Sequence, residues 1–167
     1  MLGTIRQYLT KLGSGSDREA LNTVLTSATH AARTATLASA GLVIKTGGST
    51  LAKTGATAWY GLTSGRLITI AAGTDMPALT GIVIPANQFN VVCFFVNNAG
   101  TVNAVAGTAA TTIGGVVFPD FALGQTLVGF LLITHSSTFT GGTTPLDTAT
   151  TVYFSPLGAL DPTIIVS

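Results

Sequence analysis

The chain has 167 residues, enough for one domain, or one domain plus an arm, with a sizeable core. Hydrophobic residues make up 47% of it and charged residues only 8%, against about 25% in ordinary soluble domains. No apolar run approaches the ~20 residues that span a bilayer, which excludes a membrane-spanning helix, and the Lys and Arg residues are too widely spaced for a nucleic-acid footprint.

The mean hydropathy of +0.58 comes from Ala, Val, Leu and Ile scattered among Thr and Gly. With so few ionised groups to hold copies apart, association is the expected normal state. The charges are also unevenly placed. Arg6, Lys11, Arg18, Arg33, Lys45, Lys53 and Arg66 all lie in the front part, and after Arg66 only Asp75, Asp120, Asp147 and Asp161 follow. One reading is a basic front segment that docks on an acidic partner surface; the other is chance among seven basic residues.

In chain order, Met1–Leu12 places Leu2, Ile5, Leu9 and Leu12 at near-helical spacing, an apolar stripe too short to be a stable helix alone. These four are the candidate partner-binding residues. No apolar segment with a small-residue cleavage site begins the chain, so no secretory signal is expected. Gly13-Ser14-Gly15-Ser16 reads as a flexible joint closing an arm over residues 1–16. Ser16-Asp17-Arg18-Glu19 fits a capping box, in which the Ser16 hydroxyl accepts the Glu19 N–H and the Glu19 carboxylate accepts the Ser16 N–H. A helix is expected from residue 17, its seam running through Leu21, Val24, Ala28, Ala31, Ala35 and Ala38, with Gly41 as its latest end.

From residue 42 to 167 the pattern turns to short β-like runs separated by Gly, Pro, Asn and Asp. Expected strands are Leu42–Lys45, Thr57–Leu62, Arg66–Ala71, Gly81–Ile84, Phe89–Val96, Thr101–Ala106, Val116–Phe118, Leu127–His135, Thr151–Phe154 and Thr163–Val166. Asn97-Asn98-Ala99-Gly100 and Ser64-Gly65 read as hairpin turns, because Asn and Gly tolerate positive φ. Val91–Val96 and Leu127–Ile133 are apolar at both parities, as central strands covered on two sides are; one cover is expected to be the domain core and the other a subunit interface. The fold class is mainly β: an antiparallel sandwich or barrel, jelly-roll-like, preceded by an N-terminal helical arm.

Little in the sequence points to chemistry. His30 and His135 lack the neighbours of a metal site. Cys93, the single cysteine, sits in an apolar run as a small hydrophobe does. Asp147 and Asp161 lie in turn contexts, where Asp bonds its own backbone. Gly47-Gly48, Gly114-Gly115 and Gly141-Gly142 lack the Gly-Lys-Ser/Thr of a phosphate loop and read as tight turns or close backbone approaches. In Trp59-Tyr60, Phe94-Phe95 and Tyr153-Phe154 each pair sends one ring to each face of a strand. No catalytic residue, cofactor or metal is expected, and the chain reads as non-enzymatic.

Leu42-Val-Ile-Lys-Thr-Gly-Gly-Ser-Thr-Leu-Ala-Lys-Thr, Phe89–Val96, Val116-Val-Phe-Pro, Val128-Gly-Phe-Leu-Leu-Ile and Phe139-Thr-Gly-Gly-Thr-Thr-Pro-Leu-Asp carry a resemblance. Over about residues 42–162 the chain resembles small virion structural proteins of tailed bacteriophages. The resemblance implies a virion component assembled in the host cytoplasm. Small β proteins of that kind typically serve as capsid decoration (cement) proteins, often trimers. The implied partners are further copies of the chain, as a trimeric homo-oligomer, and the major capsid protein or another virion protein, with no nucleic acid and no membrane. A carbohydrate- or receptor-binding fibre, or a tail or baseplate subunit, are the other readings.

Overall fold

The computed structural model describes residues 19–25, 34–120, 122 and 124–157. A helix covers residues 19–25. The strands that follow are β1 (Ala35–Ala38), β2 (Val43–Ile44), β3 (Ala52–Lys53), β4 (Trp59–Thr63), β5 (Arg66–Ile70), β6 (Val83–Ile84), β7 (Phe89–Asn97), β8 (Val102–Ala106), β9 (Gln125–Thr134), β10 (Phe139–Thr140) and β11 (Thr150–Phe154). They form a four-stranded sheet in the order β11-β9-β7-β8, a three-stranded sheet β1-β4-β5, and two short pairs, β2-β3 and β10-β6. Every pairing is antiparallel. The sheets are sandwich-like, and among the described residues none closes into a barrel.

The apolar runs of β7 and β9 make the centre. Val92, Phe94 and Val96 of β7, with Val128, Leu131 and Ile133 of β9, enter the main core beside Trp59, Ile68 and Ile70 of the three-stranded sheet. Val91, Cys93, Phe95, Leu127 and Phe130 point the other way into a second cluster closed by Val116 and Phe118. Full burial of each large side chain contributes about 1.5–3 kcal/mol, so covering both faces makes this strand pair a strongly stabilised part of the described fold. The second cover corrects an expectation. It is the chain's own segment 107–118, not another subunit, that lies there: Thr108 and Val117 form an isolated bridge, and the Phe118 ring meets Phe130 edge-on at 5.1 Å. Val116–Phe118, expected as a strand, is part of this cover and pairs only through that bridge.

Local chemistry sets the hairpins. Ser64 and Gly65 have φ of 52° and 84°, the two positive values of a type I′ turn, and Thr63 pairs with Arg66 across it. At the β7–β8 turn the Asn97 side-chain oxygen accepts the N–H groups of Ala99 (2.9 Å) and Thr101 (3.0 Å). Gly100 supplies the positive φ there, 83°.

Buried threonines tie the two larger sheets together. Thr36 donates its hydroxyl to the Leu127 carbonyl at 2.7 Å. Thr126 donates to the Leu62 carbonyl at 2.7 Å, and its oxygen lies 2.9 Å from the Thr63 hydroxyl. Because Thr126 has a single proton, already given to Leu62, Thr63 is the donor in that pair. Ser39 and Leu42 are held by Ser155 just past β11: Ser39 donates to its carbonyl, and its hydroxyl accepts the Leu42 N–H at 2.8 Å.

The expected helix over 17–41 is corrected at its far end, where Ala35–Ala38 is a strand. Thr36 is buried and Leu37 exposed, the register with β4 is irregular between Thr36 and Ala38, and the Thr36 bond to β9 fixes the strand. The boundary at residue 42 therefore falls inside the β domain, which begins by residue 35. The short strands β3 and β10 were not expected. The expected strand Thr163–Val166, and Ser16 and Asp17 of the expected capping box, lie outside the described residues.

Candidate functional site

The four candidate partner-binding residues, Leu2, Ile5, Leu9 and Leu12, lie outside the described residues, as do His30 and Asp161. The other candidates are dispersed. The His135 ring nitrogen Nδ1 accepts the Ser137 N–H at 3.1 Å and lies 2.9 Å from its hydroxyl oxygen, a local turn contact. Cys93 is buried in the second cluster, and burial pushes its thiol up to about 12, so no thiolate forms near neutral pH. Asp75 forms an ion pair with Lys45. Asp147 departs from the expected self-capped turn: its carboxylate accepts the Gly48 N–H at 2.7 Å, joining two loops far apart in sequence. Burial first, and the nearby Asp147 charge second, raise the Tyr153 phenol above its ordinary value. Among the described residues no group of three or more His, Cys, Asp or Glu is placed to hold a metal ion.

What the fold does assemble is an apolar surface. In the three-stranded sheet the inward parity (Trp59, Gly61, Thr63, Ile68, Ile70) is buried, while the outward parity carries Tyr60, Leu62 and Leu67. Leu62 pairs with both Ala35 and Leu67, and Tyr60 pairs with Thr69. Leu37, Tyr60 and Leu67 stand 55%, 42% and 57% exposed, so three large apolar side chains face outward on a patch without a charged group. Gathered on one sheet face, these exposed apolar side chains form a candidate contact surface of modest size. Part of the signal for this face was present in the sequence: in Trp59–Thr63, Tyr60 and Leu62 are apolar at the parity opposite Trp59 and Gly61.

No family model matches the chain, and neither the curated proteins nor the solved structures contain a match to it. No helix among the described residues is long and apolar enough to cross a membrane.

Proposed function

We propose that this protein is a non-enzymatic structural component of a tailed-bacteriophage virion, a capsid decoration (cement) protein that binds the head shell as a homo-oligomer, most simply a trimer. The observation that carries the reading is the uncharged outer face of the three-stranded sheet, on a chain with only 8% charged residues. A domain with such a surface gains by being covered, and a shell offers many equivalent places for cover. The resemblance over about residues 42–162 supplies the virion context. Mechanically, the protein adds buried area between neighbouring capsid subunits, which opposes the outward pressure of packaged DNA. The major capsid protein is its partner on the particle.

Imaging purified virions that carry a labelled copy tests this. Label distributed over the head in symmetric positions is the expected result. Label confined to a fibre tip or to the tail and baseplate replaces decoration by receptor binding or by a tail role, and its absence from the particle overturns the reading altogether.

A further inference from the structure

The extent of the outer face on β1, β4 and β5 decides what can cover it. Three strands about 4.8 Å apart, each about five residues long at about 3.4 Å per residue, present roughly 250 Å². Two folded copies in a stable complex bury about 800 Å² each, so this face is one part of a larger contact between copies and not the whole of it. A short amphipathic segment fits it. Twelve residues of helix are about 18 Å long, close to the roughly 17 Å length of a five-residue strand.

The chain carries such a segment. Leu2, Ile5, Leu9 and Leu12 make one stripe in Met1–Leu12, and in a helical projection Thr4, Gln7 and Lys11 fall on the opposite side. The segment lies upstream of β1, the edge strand of this same sheet, with residues 13–34 between Leu12 and Ala35. The face offers apolar Leu37, Tyr60, Leu62 and Leu67 and no charge, so a leucine stripe loses no ionic partner by docking on it.

We propose that in the assembled protein the Leu2–Leu12 stripe of one copy lies on the β1-β4-β5 outer face of a neighbouring copy. The inference rests on the self-association reading above. Each copy then offers a stripe and a face on different surfaces, so the contact is heterologous; a rotation between copies that closes makes a ring, of which a trimer is the smallest beyond a reciprocal dimer. The low charge of the chain leaves little repulsion to oppose the approach of copies.

Cysteine pairing on the full chain tests it. Cys93 is buried with its thiol protonated, so introduced cysteines are the reactive ones. A Leu9→Cys copy co-expressed with a Leu67→Cys copy should give a disulfide-linked dimer containing one of each under mild oxidation. A disulfide closed within the Leu9→Cys/Leu67→Cys double variant, with no link between co-expressed single variants, overturns the proposal in favour of a stripe folded on its own chain. No link in either case overturns the face as the docking site. A second variant, Leu67→Asp, changes a side chain already more than half exposed and should keep the circular-dichroism spectrum and melting temperature of the domain. In light scattering it should shift the oligomer to monomer; an unchanged oligomer counts against the proposal. These readouts use purified protein only. They separate failure of this contact from failure of the virion reading, which imaging decides.

Discussion

The indole ring of Trp59 folds back over the α-carbon of Gly61, two residues along the same strand, so that a methyl group on Gly61 would collide with the ring. Gly61 is inward-facing and buried, and its missing side chain is the space that the fully buried tryptophan occupies. Gly61→Ala should therefore destabilise the domain by about 1–3 kcal/mol, the usual cost of overpacking a core. Gly114→Ala, which meets open space, is the control and should change the urea midpoint little. Equal effects of the two substitutions would refute the packing argument.

The threonine pair between the sheets gives a second expectation. Thr126→Val removes the donor to the Leu62 carbonyl and the acceptor of the Thr63 proton, leaving buried groups unsatisfied, at a cost of about 1–3 kcal/mol. Adding Thr63→Val to that variant removes one of the orphaned groups. The double variant should then lose less than the sum of the singles, and strict additivity in a denaturation cycle would show that the hydroxyls are not coupled.

Cys93 makes stability sensitive to alkali. A thiol raised to about 12 by burial folds better as the neutral form, so its contribution is complete below the ordinary thiol range and is lost as pH rises from about 9 toward 12. The loss approaches about 4 kcal/mol at the upper end, at about 1.4 kcal/mol per pKa unit. Wild type should weaken relative to Cys93→Val as urea midpoints are measured from pH 8 to 11. Parallel curves would mean the thiol is not desolvated.

Asp147 acts both as a hydrogen-bond acceptor and as a charge, and the two roles are separable. Asp147→Asn keeps an oxygen for the Gly48 N–H but removes the charge that helps hold Tyr153 protonated. Spectrophotometric titration should show one tyrosine moving part of the way back toward its ordinary value, with the burial contribution left in place. Asp147→Ala should in addition cost about 1 kcal/mol of stability through the lost hydrogen bond. A tyrosine titration unchanged in both variants would contradict the electrostatic part.

How legible all this was depends on whether a residue's role is local. Phe94 and Phe95 announce a strand covered on both faces, and the structure sends them into separate clusters. Ser64-Gly65 and Asn97–Gly100 carry their turn conformations in their own side chains and backbones, so both hairpins were readable. Ala35–Ala38 was not. Its alanines suit a helix at three- and four-residue spacing as well as a strand at two, and what decides is the Thr36 bond to Leu127, 91 residues away. Asp147 misled for the same reason, since its partner is Gly48, 99 positions upstream. As for the outer face, Tyr60 and Leu67 were legible as apolar, but only the pairing of β4 with β1 and β5 shows that they gather on a single surface.

The bonds that join Thr36 to Leu127 and Ser39 to Ser155 also set an order of events during synthesis. β1 leaves the ribosome before its partners: its neighbour β4 comes more than twenty residues later, and its anchors on β9 and at Ser155 come about ninety and more than one hundred residues later. Contacts this distant along the chain make folding slow, because the loops must close before the contacts repay them. Until β9 and Ser155 have emerged, the nascent chain holds an unpaired, weakly charged β1 in the open, and its safest course is to complete the domain only after nearly the whole β region has been made.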